Sequence, residues 1–294
     1  MKTAEKAYAK LNISLDVTGK RSDGFHDMLM VMQTVTLCDE VTVELTDGTH
    51  STAETNLHFI PNDDRNLAVK AANAFFEAAG ISGKAAHITI NKVIPVCAGM
   101  GGGSSDAAAV LRALNRLTGA GMSADTLRSI ASRIGSDVAF CVSGGTFLAA
   151  GRGDELTRLT PMPDCGFVIC KPEFSISTPE LFRGLDSVKL RCHPDTKGIR
   201  AAVEKGDIEG IAHRMYNVFE DVPDRRMAGI KRIKSDILDA GALGAVMTGT
   251  GSAVFGVFAD IRAAEKAAEL LGKKYHCFAA ATVGELENDP GESL

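Results

Sequence analysis

The run Pro95-Val96-Cys97-Ala98-Gly99-Met100-Gly101-Gly102-Gly103-Ser104-Ser105 sets four glycines and two serines directly before an alanine-rich stretch. Glycines lack a Cβ and let backbone amides approach an anion, and a helix start adds unpaired N–H groups with a partial positive charge. The serines add hydroxyls, with Ser105 a candidate magnesium contact. A phosphate cradle is one reading of these residues; a glycine-rich turn that only reverses the chain is the other. Two common phosphate signatures fail by spelling. Gly83-Lys84 and Gly272-Lys273 lack the rest of a Walker loop, and Ser104 stands where a dinucleotide fingerprint needs its third glycine.

The elements that must position this loop follow from periodicity. After it, Ala107, Val110, Leu111 and Leu114 fall on one helical face, with Leu117 or Thr118 continuing it, and Gly119 ends the helix. Ser104 or Ser105 is the expected cap, with Asp106 in the first turn. Before the loop, Leu11, Ile13, Leu15 and Val17 alternate with polar residues as in a half-buried strand, so Lys10, Asn12 and Ser14 are expected on the opposite face. Asn66 to Ala79 reads as a helix capped by Asn66 and stopped by Gly80, and Ser123 opens another through Ile134. Thr160-Pro161-Met162-Pro163 reads as a boundary. Beyond it, helices are expected over 208–217, 225–240 and 261–271, with strands at 167–170, 245–247, 253–258 and 278–283. This order gives an α+β chain of two lobes around a cleft, with domains expected at 1–155 and 156–294.

Composition narrows the function. A chain of 294 residues with 45% hydrophobic and 23% charged residues can bury a substantial core. Its formal net charge of -5 disfavours binding to nucleic acid through phosphate neutralisation. The amino-terminal segment lacks a signal-peptide core and no run is apolar enough to span a bilayer, so a cytoplasmic protein without a membrane partner is expected. Seven scattered cysteines with no CxxC pair argue against a disulfide framework and a zinc site.

With these residues set out, PVCAGMGGGSSDAAA resembles the phosphate-binding motif of the GHMP small-molecule kinases. AYAKLNISLDVTGKRSDGFH, from Ala7 to His26, resembles the amino-terminal motif of the branch that acts on a cytidylated methylerythritol. MTGTGSAVFGVF, from Met247 to Phe258, resembles the family's third motif. Three motifs in order are more specific than any one. Met100 replaces a usual leucine, Phe25 stands where tyrosine is also common, and Thr248 and Thr250 replace serines often seen in the third motif.

The resemblance implies the two-lobed GHMP-kinase fold: an N-terminal nucleotide-binding α/β lobe, a C-terminal ferredoxin-like α/β lobe, and the site between them. It implies ATP with Mg2+ as cofactor, phosphoryl transfer to an alcohol, and the small cytidylated polyol as partner, with no obligatory protein partner. Residues 95–105 would hold the nucleotide phosphates, and Asn66 and Lys92 would line the adenine side. Asp137 would take the acceptor's proton and Lys10 would orient that carboxylate. Read without the resemblance, Asp137 is a helix cap and Lys10 a surface lysine. Phe25 and Phe182 would sandwich the pyrimidine, with His26 at the base edge. Asn12 and Thr178 would hold substrate oxygens, and Gly249 would bring backbone close. GKRSDGFH favours this branch over homoserine or mevalonate-type kinases, and Lys10 with Asp137 weighs against a non-catalytic sugar- or nucleotide-binding regulator.

Overall fold

In the computed structural model, which describes residues 1–190, 192–286 and the backbone of 292–293, the chain starts with two long paired strands, β1 (Lys2–Lys20) and β2 (His26–Asp47). Then come β3 (Thr52–Thr55), α1 (Leu67–Ala79), β4 (Lys84–Asn91), α2 (Gly102–Thr118), α3 (Ala124–Ser132) and α4 (Val138–Ser143). β5 (Thr146–Ala150) and β6 (Glu155–Arg158) complete the first half. The second half runs β7 (Gly166–Lys171), α5 (Thr178–Asp186), α6 (Thr196–Lys205), α7 (Ile208–Ala212), β8 (Tyr216–Asn217) and α8 (Met227–Asp239). It ends with β9 (Gly244–Met247), β10 (Val254–Phe258), α9 (Ile261–Leu271), β11 (His276–Ala281) and β12 (Glu292–Ser293).

Two sheets organise these elements. The first has the path β12-β1-β2-β4-β3, with β5 and β6 continuing from β2 and β8 lying parallel beside β1. The second is the antiparallel sheet β11-β7-β10-β9. The first sheet thus reaches Arg158, the second begins at Gly166, and β8 and β12 return to the first. Helices α1 and α2 pack together over one core, while Phe167, Ile169 and Phe255 of the second sheet share another with Leu11 and Ile13 of β1.

The β1 alternation does not run as one face. Its register against β2 shifts between Asn12 and Ser14, where Ile13 is an extra residue. An inserted residue reverses the pleat phase. Leu11 and Ile13 therefore enter the core that holds Phe167, Ile169 and Phe255, while Leu15 and Val17 enter the other core, the one that α1 and α2 cover. Lys10 and Asn12 come to the side of Leu15, and all three line one cavity. The polar residues are also buried rather than solvated: Lys10, Asn12 and Ser14 are each no more than 4% exposed.

Other boundaries follow local chemistry. Asn66 Oδ1 accepts from the Ala68 N–H at the start of α1, and Gly80, in the left-handed conformation, closes it. Gly119 closes α2 the same way. The start of α2 corrects the sequence reading: Gly101, left-handed, occupies the cap, and the helix begins at Gly102 rather than after a serine. Asp106 consequently lies beyond the first turn. The helix expected over 208–217 stops at Ala212, because Tyr216 and Asn217 join the edge of β1.

Candidate active site

Two cavities meet at the glycine loop. One, of about 960 Å³, reaches from Lys10, Asn12 and Asp137 to His26, Phe182 and Thr178. The other, of about 500 Å³, is lined by Asn66, Lys92, Pro95 and the loop through Ser104. Gly99, Gly101 and Ser104 belong to both. The loop is thus a wall between two chambers at the mouth of α2.

At the wall's first face, Lys10 Nζ lies 3.3 Å from Asp137 Oδ2 and donates to Asn12 Oδ1 at 2.7 Å. The Lys10 backbone N–H leaves the ladder to donate to the Met100 carbonyl at 3.1 Å, which fixes the strand to the glycine loop. Asp137 occupies the cap position of α4, yet its side chain makes no capping hydrogen bond. Its carboxylate faces Lys10 and the cavity instead. The expected pairing of these two residues is present, and the capping alternative is not.

The glycines serve two purposes. A Cβ on Gly99 would sit 2.2 Å from the Thr248 carbonyl oxygen, and one on Gly249 would sit 2.8 Å from that of Gly99. These two are bare because the loop before α2 and the loop of the third motif lie backbone against backbone. Gly99 also has φ +77°, a region that other residues rarely adopt. Gly103 differs: a Cβ there would meet only Leu67 Cδ1, at 3.7 Å, an ordinary contact. Nothing within the fold requires glycine at that position, which lies on the second chamber.

Behind the loop lies Lys92. It lines the smaller cavity, but its ammonium turns inward to Asp39 Oδ2 at 2.5 Å and Asp106 Oδ2 at 2.6 Å. Burial works against the Lys92 charge, but the two carboxylates outweigh it and raise its pKa. Burial, reinforced by Asp39 and only partly opposed by Lys92, pushes the Asp106 carboxyl up to about 7. Asp106 Oδ1 has no hydrogen-bond partner among the described residues. Asp39 Oδ1 accepts the Val93 and Ile94 N–H groups, so this cluster anchors the segment leading into the loop.

Ser104 and Ser105 have different surroundings. The Ser105 hydroxyl donates to the Tyr8 carbonyl and the residue is 1% exposed, which turns it away from both cavities. Ser104 lines both. Asn66 lies on the second cavity but spends its side chain on capping α1 and on the Pro61 carbonyl, to which it donates at 2.9 Å.

At the far end of the larger cavity, the stacked rings are His26 and Phe182, with centroids 4.8 Å apart and planes inclined by 29°. Phe219 supports Phe182 edge-on at 4.9 Å. His26 Nε2 lies 2.7 Å from Asp186 Oδ1, and Lys20 with His26 holds the Asp186 carboxyl below its ordinary range. Phe25 is 52% exposed and carries the Arg152 guanidinium on its face, 4.3 Å from the ring centroid. Thr178 Oγ1 lies 2.7 Å from Thr250 Oγ1, joining α5 to the third loop.

Residues that sequence reasoning missed hold that loop in place. Asn217 donates to the carbonyls of Met247 and Gly249, both at 2.7 Å, and Glu220 Oε1 accepts the Met247 N–H at 2.8 Å. The Thr248 hydroxyl accepts from the Asn12 N–H at 3.1 Å, linking the loop to the strand that carries Lys10.

Residues 66–145 match the GHMP kinase N-terminal domain and residues 199–277 the GHMP kinase C-terminal domain. A 4-diphosphocytidyl-2-C-methyl-D-erythritol kinase of Clostridium perfringens (strain ATCC 13124) is 42% identical over 270 residues, 92% of this chain and 93% of that one. The chain belongs to the 4-diphosphocytidyl-2-C-methyl-D-erythritol kinase family. A member of the family from Listeria monocytogenes serotype 4a is 42% identical over 90% of this chain and 91% of its own. A crystal structure of a 4-(cytidine 5'-diphospho)-2C-methyl-D-erythritol kinase superposes with TM-score 0.80 at 31% identity, covering 96% of this chain and 99% of that one. A homoserine kinase from Cytophaga hutchinsonii superposes with TM-score 0.76 at 21% identity, covering 97% and 95%, and shares the fold. The two-lobed GHMP-kinase expectation is thus borne out. GHMP kinases are ATP-dependent phosphotransferases, and so is this member of the family.

Proposed function

We propose that the chain transfers the γ-phosphoryl group of ATP to the C2 hydroxyl of 4-diphosphocytidyl-2-C-methyl-D-erythritol, giving the 2-phosphate and ADP, in the non-mevalonate route to isoprenoid precursors. The observation that carries this reading is the Lys10–Asp137 pair, 3.3 Å apart, in the larger chamber beside Gly101 of the loop that both chambers share. The second chamber takes the nucleotide, with its phosphates against the bare amides at the start of α2. The first takes the alcohol, with the cytosine end toward His26 and Phe182.

Phosphoryl transfer has a loose transition state, so positioning and charge neutralisation do most of the work. Asp137 accepts the C2 hydroxyl proton as the oxygen bonds to the γ-phosphorus and the bond to the β-bridging oxygen breaks. Lys10 orients that carboxylate and offsets charge gathering on the moving group. Asn12 holds the Lys10 ammonium in place, and Thr248 holds the Asn12 backbone.

Among the described residues no three His, Cys, Asp or Glu side chains gather as a metal cage. Magnesium does not need one, since it keeps waters and phosphate oxygens and takes only one or two protein oxygens. The Ser104 hydroxyl, on both cavities, fits that part, whereas Ser105 is committed to Tyr8. Bound there with ATP, the ion supplies neutralisation of the phosphate oxygens.

The test is Asp137→Asn, which keeps the shape and removes the base. Turnover with the cytidylated alcohol should fall by roughly 10²–10⁴-fold, with the ATP dissociation constant and melting temperature near wild type. Turnover within a few-fold of wild type would remove Asp137 from the chemistry. Equal wild-type turnover of homoserine or mevalonate would remove the proposed substrate.

A further inference from the structure

The cavity that takes the alcohol has two recognisable ends, the rings of His26 and Phe182 and the Lys10–Asp137 pair. A substrate spanning them presents its diphosphate between the two, and a diphosphate in a largely apolar cavity needs a counter-charge. Among the described residues, the lysine and arginine side chains that line this cavity are Lys10 and Arg152. Lys10 is engaged with Asn12 and Asp137.

We propose that Arg152 is the residue that grips the substrate diphosphate, with Phe25 as the platform that aims it. The inference rests on the substrate reading above and adds to it a binding residue on the β5–β6 turn. Arg152 rides on the face of Phe25, 4.3 Å from its centroid. A guanidinium held over a ring face by cation–π attraction keeps its N–H donors for other acceptors, and its fork can meet two phosphate oxygens at once. No carboxylate closes an ion pair on this guanidinium among the described residues. Asp23 is the nearby acid, and Arg21 Nε already holds it at 3.2 Å.

The backbone around Arg152 is fixed. Gly151 and Gly153 flank it with φ +61° and +95°. The Met28 N–H donates to the Gly151 carbonyl at 2.7 Å, tying the turn to β2. The Arg152 N–H donates to Asp154 Oδ1 at 3.2 Å. A Cβ on Gly153 would stand 3.0 Å from Met30 Cε, so the turn also presses on a methionine that lines the cavity. An exposed arginine is thereby held on an anchored turn at the cavity rim. The same contact gives Phe25 a task other than stacking on the base.

The test compares cytidine and cytidine diphosphate, which share the base and differ in the diphosphate, by titration calorimetry on wild type, Arg152→Gln, Arg152→Lys and Phe25→Leu. In Arg152→Gln, cytidine diphosphate should bind roughly 10–100-fold more weakly while cytidine stays within twofold. Arg152→Lys should recover part of the loss, and Phe25→Leu should give an intermediate loss confined to the diphosphate. The KM for ATP should be unchanged in all three. Equal binding of cytidine diphosphate by wild type and Arg152→Gln, or equal losses for both ligands, would overturn the role of Arg152 and leave the substrate reading standing. A wild-type protein that binds neither ligand would overturn both.

Discussion

Replacing Gly103 by alanine separates the needs of the fold from those of the ligand. The added methyl meets Leu67 Cδ1 at 3.7 Å and no other protein atom within 4 Å. Gly103 is the second residue of α2, so part of the glycine-to-alanine helix preference applies, about 0.5 kcal/mol in favour of the variant. For a chain of this size that raises the melting temperature by roughly 1–2 °C. The nucleotide meets the opposite effect. With the nucleotide placed as proposed, the methyl projects where phosphate oxygens would approach the first N–H groups of α2, and losing one charge-assisted hydrogen bond there costs about 1.5–3 kcal/mol. The KM for ATP should therefore rise roughly 10–150-fold, while affinity for cytidine diphosphate stays near wild type. Thermal melts and steady-state kinetics with ATP varied at saturating alcohol read both effects. A variant that melts higher and keeps its KM for ATP within twofold would show that the triphosphate does not lie against this turn, and the phosphate-cradle argument would fail.

Asn217→Ala leaves the buried carbonyls of Met247 and Gly249 without their donor. Chemical denaturation should show a loss of about 2–5 kcal/mol, and unchanged stability would show that the third loop holds itself. Asp106 gives a pH signature. Its folded pKa, raised to about 7 from an ordinary 3.8, means that the folded chain keeps this proton after the unfolded chain has released it. Stability should therefore fall as pH rises from about 4 to 7, by at most about 1.4 kcal/mol per pH unit, and level off above. Asp106→Asn should remove that slope, read as the wild-type-minus-variant difference in urea midpoints between pH 5 and pH 8. A difference that does not change with pH would mean that Asp106 is ionised throughout.

What was legible in the chain was local. Asn66, Gly80 and Gly119 act within one turn of the helices they bound, and so did the apolar face of α2. The three motifs named the family, and with it the Lys10–Asp137 pair, which no periodicity could bring together across 126 intervening positions. Partnerships across the fold stayed hidden. Asp106 looked like a first-turn acid because a serine was read as the cap, and its ammonium partner Lys92 comes from the segment between β4 and α2; Asn217 looked helical until the edge of β1 claimed it. The bulge at Ile13 has no signature in an alternating run, yet it puts Leu15 on the same cavity as Lys10 and Asn12. Arg152 carried one unused signal, the glycines on either side.

The backbone-on-backbone seam between Gly99 and the Thr248–Gly249 turn limits how the two halves can be inherited. With the Thr248 hydroxyl, 3.3 Å from the Gly99 carbonyl, reaching across an otherwise main-chain contact, a shift of an ångström in one loop has little to absorb it. A hybrid built from the amino-terminal half of this chain and the carboxy-terminal half of a distant homologue would meet its first obstacle there, before any question of ligand choice arose. The halves of such a protein diverge together or not at all.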